Sequence, residues 1–282
     1  MKKVAAIIFL LCSIGLYAQE VEKNKTDSKG RKQGYWEKTY DKSDKLKYKG
    51  TFKDDKPVGE FTFYFPSGAV KSKIKHMGDA KKTSRAVIYY ESGKVMSKGK
   101  YLDQKKDSVW THLDEAGWVS TRETYVADKL EGLTTVYFYT GKISETFMCK
   151  GGLKHGDWQR FFESGMTMSK GTYKNGYLSG QVTHFTSTGK RENTEFYSAG
   201  KLHGPMVYFD PSGTKAISTT YFQYGKKLEG KELEAHLKKI NEKKPDVNNN
   251  STTTDPKNQK TNTKNTTANK TNAPANNNAP KK

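Results

Sequence analysis

Six histidines, one interior cysteine, recurring Ser-Gly pairs and a set of glutamates are the residues whose chemistry needs accounting for. His76, His112, His155, His184, His203 and His236 lack the close, paired spacing that holds a metal on one loop or helix face. His155 and His203 stand just before equivalent glycines, and His112 and His184 share another equivalent place, so their recurrence follows a repeat. Ser164-Gly165 and its relatives lack the strand-to-helix elbow of a nucleophilic serine, and no glycine-rich stretch sits between a strand and a helix as a phosphate loop must. Glu91, Glu115 and Glu163 recur at one place beside a turn, where carboxylates are solvated rather than paired for acid–base work. The expectation is therefore no enzyme, no catalytic residue, no cofactor and no metal. Cys149, in a strand-like segment, reads as a small buried hydrophobe.

The elements that carry these residues form an array over residues 34–230. An opening glycine or serine recurs at Gly34, Gly59, Ser84, Ser108, Gly132, Gly156, Gly180 and Gly204, and Gly230 closes the series. The intervals are 24 to 26 residues, which makes eight units. Counting the opening residue as position 1, position 6 is aromatic or apolar: Tyr64, Tyr89, Leu113, Tyr137, Phe161, Phe185 and Phe209. In the first unit Tyr40 is read as filling this place one residue late, which would account for that unit's extra residue. Position 10 is Gly68, Gly93, Gly117, Gly141, Gly165, Gly189 and Gly213, and position 18 is often tyrosine. Short aromatic and β-branched runs with Ser-Gly or Thr-Gly between them predict strand, turn, strand, turn in every unit. One hairpin is marginal in water, but stacked hairpins bury their aromatics against neighbours. The fold expected is all-β: an elongated antiparallel meander or solenoid. It answers a composition of 33% hydrophobic residues in which aromatics alone are 12%.

The pattern Gly156-Asp157-Trp158-Gln159-Arg160-Phe161-Phe162-Glu163-Ser164-Gly165, followed by Tyr173-Lys174-Asn175-Gly176-Tyr177-Leu178-Ser179-Gly180, resembles the MORN-type repeat. It is most similar to the variant found in exported bacterial proteins and in YwqK-family antitoxin-like proteins. Gly59 to Gly68 and Tyr197 to Gly204 resemble it equally, whereas units three and four open on serine. The resemblance implies a hairpin-repeat fold. It also implies roles that vary from protein to protein, neutralisation of a toxin among them.

The flanks differ from the array. Lys2-Lys3, the apolar run Val4–Leu16 and the polar switch after Ala18 read as a signal peptide over residues 1–19. The run is shorter than the roughly 20 residues of a spanning helix. An exported protein, periplasmic, outer-surface or secreted, is expected. Residues 20–33 are read as a flexible polar segment. Leu233, Leu237 and Ile240 mark one stripe of a short helix over 231–243, suited to covering an open strand edge. Residues 244–282, rich in Asn, Thr, Lys and Pro, are read as a disordered tail.

The formal charge of +20 favours acidic partners. Adjacent aromatics such as Tyr89-Tyr90 alternate faces along a strand, so one set can pack while the other lines an open face. Trp36, Trp110 and Trp158, all at position 3, are the candidate binding surface on this reading; the competing reading makes them cross-strand packing. The partners considered are a protein or an envelope glycan, then an anionic membrane surface. Nucleic acid is disfavoured because the chain is read as exported and its basic residues are spread. Oligomeric state is open.

Overall fold

The computed structural model describes residues 22–79 and 82–242. The proposed signal peptide and the Asn/Thr-rich tail lie outside the described residues. The chain divides into two units, one ending at Glu234 and one beginning at Ala235.

The first unit is an antiparallel meander in which each long strand pairs with the next along the chain. A short β1 (Lys25–Thr26) leads into β2 (Lys32–Thr39), β3 (Leu46–Lys53), β4 (Lys56–Tyr64), β5 (Val70–His76), β6 (Thr83–Tyr89) and β7 (Val95–Leu102). It continues through β8 (Lys105–Leu113), β9 (Val119–Val126), β10 (Lys129–Tyr137), β11 (Ile143–Lys150), β12 (Leu153–Phe161) and β13 (Thr167–Lys174). The last strands are β14 (Tyr177–Leu178), β15 (Gly180–Phe185), β16 (Arg191–Ser198), β17 (Lys201–Leu202), β18 (Gly204–Phe209), β19 (Ala216–Gln223) and β20 (Lys226–Lys227). β14 with β15, and β17 with β18, are interrupted strands, because both members of each pair bond the same neighbour. The helix α1 spans Gly230–Glu242, and none of its residues is buried.

Two kinds of turn alternate. Within a unit, the Phe138 amide donates to the Lys142 carbonyl and the Gly141 amide to the Phe138 carbonyl. This is a type I turn closed by a left-handed residue, and Gly141 supplies that residue at φ 81°. Between units, two consecutive residues take positive φ, as Asn175 (51°) and Gly176 (86°) do in a type I′ turn. The type I′ twist matches that of the strands it joins. The second turn amide then reaches back to the preceding unit: Gly176 donates to Lys154 at 2.8 Å and Gly200 to Leu178 at 2.9 Å. These bonds stitch the units along one edge, as the nearest-neighbour energetics of a repeat array require.

Two expectations are corrected. Residues 22–33 form a structured cap rather than a flexible segment: β1 pairs with the start of β2, Asn24 bonds the backbone of Tyr35 and Glu37, and Arg31 bridges Asp27 and Asp54. Part of the first strand's edge is thereby paired rather than left open. Tyr40 is the turn residue at position 7, equivalent to Phe65 and Tyr90, with its amide bonded to Lys45. The extra residue of the first unit therefore lies inside the turn, not before the aromatic.

The two serine openings differ. Ser108 keeps the left-handed conformation of the glycines it replaces, at φ 60°. Ser84 does not: β5 and β6 pair in unbroken register, His76 opposite Ser84 and Ile74 opposite Ala86, after a longer connection than a type I′ turn. Ser108→Gly should therefore raise stability by about 0.5–1 kcal/mol by relieving a side chain at positive φ, and Ser84→Gly should lower it by a similar amount. Chemical denaturation of both variants checks this; equal shifts in the same direction would contradict it.

Candidate functional site: two unlike faces of the array

The opening residue of a unit creates a bulge that sets the packed face. Lys100 pairs with Asp107 and Lys98 with Thr111, so Ser108, Val109 and Trp110 stand opposite Gly99 alone. The Trp110 indole lies flat on Gly99, where an added Cβ would fall 2.2 Å from the ring. Its Nε1 donates to the Lys100 carbonyl at 3.0 Å, Tyr101 meets it edge-on at 4.9 Å, and the Lys106 ammonium covers it at 4.7 Å. Phe61 sits on Gly50 in the same way, and Val182 on Gly171. Position 3 is thus the core of the sheet. Phe61, Ala86, Trp110, Trp158 and Val182 are all buried there.

This placement corrects the candidate binding surface. Trp110 is 0% exposed and Trp158 7%, so neither lines an open groove. Trp36 belongs to the N-terminal cap, where its Nε1 bonds the Lys25 and Gln33 carbonyls. The packing alternative holds for both: the bulge turns Trp110 onto Gly99, and Trp158 lies opposite Phe147, edge-on to Tyr173 and bonded to Glu145.

The packed face also gathers polar groups that spacing alone left apart. In the fourth unit His112 Nε2 lies 3.0 Å from Glu123 Oε2, which accepts the Tyr125 hydroxyl at 2.6 Å. In the seventh, Ser169 Oγ is 2.8 Å from His184 Nδ1, and His184 Nε2 is 3.3 Å from Glu195 Oε2. Glu195 accepts from Tyr197 at 2.7 Å and Asn193 at 3.1 Å. Both Nε2 atoms are at ion-pair distance yet out of hydrogen-bond alignment, with no other partner among the described residues. Burial raises the Tyr125 and Tyr197 phenols well above their ordinary range, and their glutamates add to it. The Ser169–His184–Glu195 order has the composition of a hydrolytic triad. Ser169, however, is 4% exposed, so the chain of bonds ends in packed sheet rather than at a surface a substrate reaches. A signal for these networks exists: a histidine followed eleven residues later by glutamate and two further by tyrosine occurs in both units.

Where Ala86 and His76 replace the bulky position-3 residue and the position-18 tyrosine, the packed face opens into a hollow of about 1260 Å³. Phe52, Phe61, Phe63, Ile74 and Tyr101 line it with His76, whose protonation burial disfavours.

The opposite face is basic. Lysine and arginine follow one another on successive return strands: Lys47 and Lys49, then Lys71, Lys73 and Lys75, then Lys98 and Lys100, then Arg122. Glu37, Glu60 and Asp107 stand against them on the outgoing strands, and Asp107 is paired with Lys100 at 2.8 Å. Position 15 forms one row, Lys49, Lys73, Lys98, Arg122 and, after a gap at Thr146, Lys170. Each of these lies opposite position 4 of the following unit, so the half-buried position-6 residue is its diagonal neighbour, a ring in every case but Lys98, which meets Leu113. Lys49 lies 5.9 Å from the Tyr64 ring, Arg122 5.5 Å from Tyr137 and Lys170 5.5 Å from Phe185. None of the five row cations is within ion-pair distance of a carboxylate among the described residues. The 24-residue period gathers part of the charge onto this face, while Lys32, Lys106 and Lys154 lie over rings of the packed one.

Fold and faces together define a protein of stacked β-hairpin repeats. Residues 37–54, 84–103 and 154–175 match the MORN repeat variant, and the chain is similar to that family over those three segments. Proteins built of this repeat are generally non-enzymatic. No curated protein matches the chain.

Proposed function

We propose that this chain is an exported, non-enzymatic repeat scaffold that binds an extended partner, a protein or a glycan, through its basic face. The observation that carries the reading is the row Lys49, Lys73, Lys98 and Arg122, free of ion pairs among the described residues, with half-buried rings beside its two end members. A face of exposed cations with apolar rings beside them combines long-range attraction with contact area, the two things a recognition surface needs. The apolar run after Lys2-Lys3 supports export. The buried tryptophans contribute by holding the face rigid, not by touching a partner.

The test is capture from native envelope extract with the full mature chain and with a Lys49→Gln/Lys73→Gln/Lys98→Gln/Arg122→Gln variant. The reading expects a partner retained by the first and lost by the second, with retention falling as salt rises. A partner held equally by both would move the contact to the packed-face hollow. Capture of a toxic protein would bring the chain under the antitoxin-like reading that its YwqK-type resemblance implies.

A further inference from the structure

We infer that the ligand of the basic face is an acidic polysaccharide carrying about one carboxylate per disaccharide, laid across the strands along the position-15 row. The inference rests on the reading that this face makes the contact, and it adds the ligand's chemistry.

Spacing is the first argument. Position 15 recurs once per hairpin, so successive cations stand two strand separations apart, about 10 Å. An extended glycan of alternating uronate and neutral sugar presents its carboxylates at a comparable interval, the length of one disaccharide. Duplex nucleic acid carries a charge every ~1.7 Å of its axis, and a row this sparse leaves most of them unmatched. A membrane surface needs apolar side chains projecting beyond the cations. Here the rings at position 6 are half-buried beneath the cations rather than raised above them.

Composition of the row is the second argument. Within the uninterrupted row the two end members, Lys49 and Arg122, have an aromatic ring within 6 Å, at 5.9 and 5.5 Å, as does Lys170 beyond the gap, at 5.5 Å. A cation laid over a half-buried ring is held at a set place on the face, where a sugar carboxylate can meet it at the interval of the row. Four consecutive units, from Lys49 to Arg122, carry the cation before Thr146 interrupts the row. The site therefore has a length, four disaccharides.

Size-graded hyaluronan oligosaccharides, titrated into the full mature chain by calorimetry, test this directly. Affinity should climb with each disaccharide up to the octasaccharide and rise little beyond it. The variant with all four cations changed to glutamine should bind the octasaccharide about thirtyfold more weakly, whereas a Lys49→Arg/Lys73→Arg/Lys98→Arg variant should keep its affinity. Circular dichroism and an unchanged melting midpoint establish that the glutamine variant is folded; if it is not, the single Lys73→Gln and Lys98→Gln variants replace it, each weakening binding several-fold. Equal binding of polyglutamate, tighter binding to phosphatidylglycerol vesicles, binding of neutral chitin oligomers, or affinity indifferent to length would each overturn the inference. If the basic face captures an envelope partner but no hyaluronan oligomer, the ligand assignment fails and the proposed contact surface stands.

Discussion

Trp110→Ala should cost about 3–5 kcal/mol, the range for deleting a fully buried aromatic. The residue is 0% exposed, and its ring is enclosed by Gly99, Tyr101 and Lys106. Loss of the indole also leaves the Lys100 carbonyl without its donor. Gly99→Ala should destabilise too, by about 1–3 kcal/mol or more. Its φ is not positive, so the cause is the methyl's collision with the indole at 2.2 Å, not backbone strain. The double variant Gly99→Ala/Trp110→Ala then distinguishes packing from any general weakness of the strand. The methyl occupies space the indole vacated, so the double loss should fall well short of the sum. In an array stabilised by nearest neighbours, the damage should centre on units three and four. Hydrogen exchange by unit, alongside chemical denaturation, reads both quantities; additive losses, or protection lost evenly from end to end, would refute the account.

Stability should fall steeply above about pH 10, where free tyrosine ionises. Burial, reinforced by a neighbouring glutamate, pushes the Tyr35 phenol up to about 12 and raises Tyr125 and Tyr197 further still. Burial raises Tyr101 as well. The sign follows from linkage. A phenol whose folded pKa is raised holds its proton where the unfolded chain releases it. Its contribution is complete below the unfolded value and disappears as pH climbs through the folded one. Tyr197→Phe and Tyr125→Phe should flatten this alkaline slope while lowering stability near neutrality, because Glu195 and Glu123 each lose a hydroxyl donor. Denaturation midpoints measured across the alkaline range, with phenolate absorbance followed in parallel, give the test. A slope unchanged in both phenylalanine variants would show that these tyrosines do not carry it.

Much of the fold was legible because a period of 24 residues admits one local solution. The glycines at position 10, Gly68 among them at φ 95°, mark a turn whose last residue must be left-handed, and aromatic runs on either side supply strands of matching length. The N-terminal cap was not legible. Residues 22–33 are polar, and what orders them is pairing with β2 and the Asp27–Arg31–Asp54 bridge, all contacts outside the segment's own pattern. The place of Tyr40 is not legible either, because an insertion before an aromatic and one after it give the same spacing, and only the turn's hydrogen bonds distinguish them.

The site divides similarly. Gly50, Gly99 and Gly171 each precede the residue they support by eleven positions, Phe61, Trp110 and Val182. Where position 16 is the bulky Ile74 or Glu123, the facing residue is the small Ala86 or Thr134. That reciprocity of size, which the Phe147–Trp158 pair breaks, is written in the sequence but has meaning only once the strand pairing is known. The same holds for His112 with Glu123 and His184 with Glu195, whose shared spacing becomes a contact only across paired strands.

The sequence by itself determined the repeat, its two turns and its strands, because these depend on backbone preferences within a few residues. Tertiary structure decided which way each side chain faces. In every unit but the third, one left-handed residue at the start rotates the strand that follows, placing position 3 on the packed face and position 4, opposite the position-15 cations, on the other. Trp110 and Trp158, which by type alone could have been either, become core, and basic residues from successive units fall into one row.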